Sequence, residues 1–144
     1  MSDGIIQNRE SSRRFFYQVW QKHQIDSPMD PMEKMVLEVL LEHPEYHYLL
    51  EGDENVLMQE FSYENGMVNP FLHMGMHITI QEQIQVDRPA GIADLYVKLA
   101  KGFETAHDLE HRMMECLGET LWTAQRDNTL PDEAVYLECV RRIR

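Results

Sequence analysis

Two pairs of histidines spaced four apart, His73/His77 and His107/His111, combine a metal-ligating side chain with a helical repeat. Four residues is just over one helical turn, so each pair places two imidazoles on a single helix face. Glu110 sits inside the second pair. Around it Phe103, Ala106, Met113, Leu117, Leu121 and Ala124 step by three or four, which is the spacing of a buried stripe. Glu110 falls within about 20° of the centre of that stripe and is its one polar member. An ionised carboxylate left unpaired there would cost several kcal/mol, so it calls for a proton, an opposite charge or a bound cation.

The first pair continues into Ile80 and Ile84 along one face. If both faces line the same core, His73, His77, His107, Glu110 and His111 converge on one ion, with Glu115 a turn further on as an extra ligand. Imidazole and carboxylate together suit zinc, iron, manganese or nickel, and bundle cores build metal sites from side chains on facing helices. The competing explanation is structural: histidines at a core edge bond to backbone carbonyls, and Glu110 bridges His73 or His77. Met74 and Met76 do not extend the site toward copper, because on a helix they point apart and pack as core. His-x-x-Glu-His at 107–111 is the inverted zincin string, but those catalytic domains are larger than this chain. Ferritin-like di-metal bundles need Glu-x-x-His twice, and Glu104 with His107 supplies it once.

The elements that must carry these residues are helical. Ser11 or Ser12 caps a helix over 12–24, in which Phe15, Phe16, Val19 and Trp20 share a face. Asp30 caps and Pro31 opens a second helix carried by Met35, Val36, Val39 and Leu40. It stops at His43, since Pro44 disfavours helical geometry in the preceding residue. His43 and His47 therefore flank a boundary rather than share a face, with a short turn through Leu49 and Leu50 beyond. Gly52 to Gly66 reads as a loop.

Asn69-Pro70 starts a helix running to about Val86. The alternation of Leu72, Met74, Met76, Ile78 and Ile80 also suits a strand, but no other segment offers a partner strand. After a turn at 87–91, a helix follows through Ile92, Leu95 and Leu99, kinks at Gly102, and ends at Asp127-Asn128. Pro131 starts the last, with Val135, Leu137 and Val140 apolar. The expectation is all-α: a compact bundle of five or six helices with short connectors, one domain over 1–144.

Composition bounds the function. Among 144 residues there are ten methionines but only seven glycines and six prolines, which favours helix. The net charge of −12 is concentrated in residues 26–64, where eleven acidic side chains face Lys34 alone. Such a segment repels phosphate backbones, so no nucleic-acid partner is expected; it suits a basic protein partner or a cation. No apolar run approaches the ~18 residues of a membrane span, and the first residues lack the apolar stretch of a signal peptide. Cys116 and Cys139 are too few and too far apart for a disulfide scaffold. They read as reduced thiols in a cytoplasmic protein.

Several stretches also match a known pattern: Arg-Arg-Phe-Phe (13–16), His-Pro-Glu-Tyr-His (43–47), Asn-Pro-Phe-Leu-His (69–73), Asp-Arg-Pro-Ala-Gly-Ile (87–92), and His-Asp-Leu-Glu-His through Leu-Trp-Thr-Ala-Gln-Arg (107–126). In these the chain resembles the bacterial family catalogued as domain of unknown function 1841. The resemblance implies one compact bacterial domain and no activity. Three functions stay open on the residues alone: a metal-binding helical domain, an interaction module with structural histidines that binds another protein or a second copy, and a small metal-dependent hydrolase or redox enzyme.

Overall fold

The computed structural model describes residues 9–52 and 69–144, with the backbone alone for 9–12. The described residues form seven α-helices and no strand: α1 (Arg9–Gln24), α2 (Pro31–Leu41), α3 (His47–Glu51), α4 (Pro70–Val86), α5 (Ile92–Ala100), α6 (Ala106–Asp127) and α7 (Glu133–Arg141). A 3-10 turn at Pro44–Tyr46 precedes α3. No described helix is long and apolar enough to cross a membrane. By internal contacts the chain divides into one unit up to Thr79 and another from Ile80. The division falls inside α4.

In the first unit, Phe16, Val19 and Trp20 of α1 pack with Met35, Val36, Val39 and Leu40 of α2, Leu49 and Leu50 of α3, and Phe71, Met74 and Ile78 of α4. These are the apolar positions that helical spacing selects, and Met74 is core as expected. The α1–α2 connection is held by a capping box. Asp30 Oδ1 accepts from the Glu33 amide at 2.8 Å, and Glu33 Oε1 accepts from the Asp30 amide at 3.0 Å. The other Glu33 oxygen receives Lys22 Nζ at 2.6 Å, joining α1 to the start of α2. That hydrogen bond holds the Glu33 carboxyl below its ordinary range, helped by the Asp30 amide. Because α1 already includes Arg9, Ser11 and Ser12 lie inside the helix and do not cap it. The loop expected from Gly52 to Gly66 lies outside the described residues beyond Gly52.

Asn69-Pro70 behaves as a start signal. Asn69 Oδ1 accepts from the amides of Phe71 at 3.0 Å and Leu72 at 3.2 Å, and α4 is helix rather than strand.

In the second unit, Asp87 and Gly91 form the turn after α4, both with positive φ, at 53° and 98°. The Asp87 carboxylate accepts from the amides of Gly91 and Ala93 at 3.1 and 3.0 Å, feeding the chain into α5. The single kinked helix expected from Ile92 onward is instead two helices, which raises the count from five or six to seven. The amides of Gly102 and Phe103 turn back onto Leu99 and Ala100, closing α5 with tight three-residue bonds. Thr105, extended at φ −134° and ψ 155°, then caps α6 by accepting from the Asp108 amide. Asn128, with φ 54°, ends α6. Asp132 caps α7 through the amides of Ala134 and Val135. Along α7, Val135 is exposed and Tyr136 is buried, contrary to the expected stripe. The Tyr136 hydroxyl finds Gln83 Oε1 at 2.7 Å, and a buried phenol needs such a partner.

Candidate metal centre

The first unit gathers three imidazoles. His77 is fully buried on α4, and His73 lies one turn earlier, half-buried. His43 joins them from the end of α2, where Pro44 forces the chain out of the helix. Ring centroids are 5.0 Å apart for His43–His73, 4.9 Å for His43–His77 and 4.9 Å for His73–His77. The three rings form a nearly equilateral triangle. His43 Nδ1 lies 2.8 Å from the Val39 carbonyl oxygen. A carbonyl can only accept, so Nδ1 carries the proton and Nε2 holds the lone pair, the arrangement in which a backbone oxygen orients an imidazole for metal binding. Tyr46 stacks on His43 at 5.6 Å and meets His73 edge-on at 6.1 Å. Burial, then the nearby charges of Glu45 and Tyr48, push the Tyr46 hydroxyl above its ordinary pKa, so it stays protonated. His47 has a different job. Its Nε2 donates to the Leu40 carbonyl at 2.6 Å and its ring packs on Trp20 at 4.3 Å, which closes the end of α2.

The second unit gathers two more imidazoles and the misplaced carboxylate. His107 and His111 meet edge to face on α6 with centroids 4.2 Å apart, both half-buried. Glu110 is 5% exposed, within a face that also buries Leu109, Met113, Leu117 and Ala124. The core position expected for that carboxylate is therefore observed. Gln81 Nε2 donates to Glu110 Oε1 at 3.4 Å, so a neutral amide joins the expected list of proton, opposite charge and cation. Glu115 does not extend the site. It is exposed and faces Arg112 at 3.6 Å. Ala106, assigned to the stripe, is exposed where α6 begins.

Each expected pair is thus brought together within its own helix, and His43 is the added member. Periodicity offers no signal for it, because it lies beyond the last helical residue of α2 and its direction is set by the turn at Pro44.

The cysteines depart from expectation. Cys116 of α6 and Cys139 of α7 form a disulfide with Cα atoms 5.8 Å apart, so no described cysteine is free. The return of α7 against α6 erases a sequence separation of 23 residues. The cytoplasmic expectation loses its cysteine argument.

The family model for a domain of unknown function, DUF1841, matches residues 8–142. The chain belongs to that family. No curated protein and no solved structure matches it.

Proposed function

We propose that this chain is a metal-binding helical domain whose imidazoles, His43 and His77 in the first unit and His107 and His111 in the second, are its transition-metal ligands. The observation that carries the reading is how closely the imidazoles gather within each unit: His43 and His77 stand 4.9 Å apart by ring centroid, and His107 and His111 stand 4.2 Å apart. Around tetrahedral zinc, with nitrogens at about 2.0–2.1 Å, neighbouring donors stand about 3.4 Å apart. Rings at these separations can each turn a nitrogen onto a shared ion within their own unit. The lone pair that the Val39 carbonyl directs to His43 Nε2 supports the same reading.

Imidazole donors suit zinc, nickel or iron, whereas manganese prefers oxygen. Of the residues first expected to ligate, His77, His107 and His111 remain in this donor set. His73 packs against the rings of His43 and His77, and Glu110 acts as a neighbour held by Gln81.

Chelator-treated protein titrated with zinc tests this. A bound ion stabilises the folded state by mass action, so the melting temperature should rise with zinc, and the rise should shrink in His77→Ala or in His107→Ala. An unchanged melting temperature in the wild-type protein, across zinc, nickel and iron, would end the reading.

A further inference from the structure

The disulfide lies open rather than sealed. Cys116 and Cys139 line a surface cleft of about 170 Å³ with Arg112, Glu115, Glu119 and Arg142. Cys116 is 4% exposed, whereas Cys139 is half-buried and is the more exposed of the two residues. Each cysteine has an arginine on its own helix face: Arg112 precedes Cys116 by four residues and Arg142 follows Cys139 by three. Glu115 and Glu138 pair with these guanidiniums at 3.6 and 3.2 Å and temper their charge without removing it.

Helix α7 also has anchors that do not involve sulfur. Asp132 caps it, the Tyr136 hydroxyl bonds Gln83, and Val140 and Ile143 are buried. A bridge between helices that stay docked without it can be opened and closed in the folded protein.

We propose that Cys116–Cys139 is a thiol–disulfide exchange site for a dithiol reductant, with Cys139 the attacked sulfur. A thiolate of the dithiol attacks Cys139 Sγ, and the S–S bond breaks as a mixed disulfide forms. Cys116 leaves with the electron pair as a thiolate beside Arg112, then takes up a proton. The reagent's second thiolate attacks its own sulfur in the mixed disulfide and expels Cys139 as a thiolate, which is protonated in turn. The reductant ends as a disulfide, having passed two electrons and two protons to the protein. Attack from the cleft selects Cys139 because exchange needs access to the sulfur as well as a stabilised leaving thiolate.

The test uses the native full chain. It is treated with dithiothreitol, quenched with iodoacetamide and mapped by mass spectrometry, while helix content is followed by circular dichroism. Both cysteines should become alkylated with helix content retained. With reduced glutathione, the trapped mixed disulfide should sit on Cys139. Arg112→Gln should slow reduction roughly threefold to tenfold by removing the charge beside the leaving thiolate, with no change in melting temperature. Reduction that proceeds only in step with loss of helix, a mixed disulfide found on Cys116, or wild-type rates in Arg112→Gln would each overturn the proposal.

Discussion

Glu110 and Glu33 show how differently two buried carboxylates are accommodated. Glu110 lies on the apolar face of α6 with a neutral amide from Gln81 as donor. Glu33 has the Lys22 ammonium and its own capping box. If the four imidazoles are the ligands, Glu110→Gln shifts stability and leaves metal content unchanged. Loss of metal in Glu110→Gln would make the carboxylate a ligand.

Glu33 carries a pH dependence. Its pKa is lowered in the folded protein, so its stabilising contribution is present above the unfolded value of about 4.3 and fades as pH falls through the lower, folded one. An acid titration followed by circular dichroism should show Lys22→Gln less stable than wild type at neutral pH, with the gap closing toward the acid end. At this scale the core position of Glu110 was legible, because a single helical repeat decides it. The place of His43 was not, because a turn geometry decides it.

Among the helices, legibility follows the caps. Asp30-Pro31 and Asn69-Pro70 carry both an acceptor for the first amides and a residue pre-set for the first turn, and both helices start there. The break between α5 and α6 escaped because Gly102 alone reads as a kink. Thr105 followed by Asp108 was the capping signal that locates the restart. Removing that cap in Thr105→Ala should cost about 1 kcal/mol, read by urea denaturation. Tyr136→Phe should cost a similar amount, about 1 kcal/mol, by leaving Gln83 without its donor. If either substitution is neutral, the cap or bond it removes does not hold its helix. Val135 and Tyr136 exchanged expected places because the short α7 is oriented by its partners and not by its own weak periodicity.

For the whole molecule, the all-helical class follows from few breakers and many three- and four-residue apolar steps. The disulfide does not follow from the sequence, since its geometry depends on how α7 folds back. A bridge over 23 residues should contribute about 3 kcal/mol through the unfolded chain. That is below the ~5–15 kcal/mol of a typical domain, so reduced protein should melt at a lower temperature yet remain folded at 25 °C. A melting temperature unmoved by reduction would show the bridge to be thermodynamically idle.

Elemental analysis of untagged protein, purified without chelators and again after reloading, tests the central claim most directly. Imidazoles gathered in this way predict at least about one equivalent of zinc, nickel or iron per chain. Less than about a tenth of an equivalent of any transition metal in both preparations would contradict it.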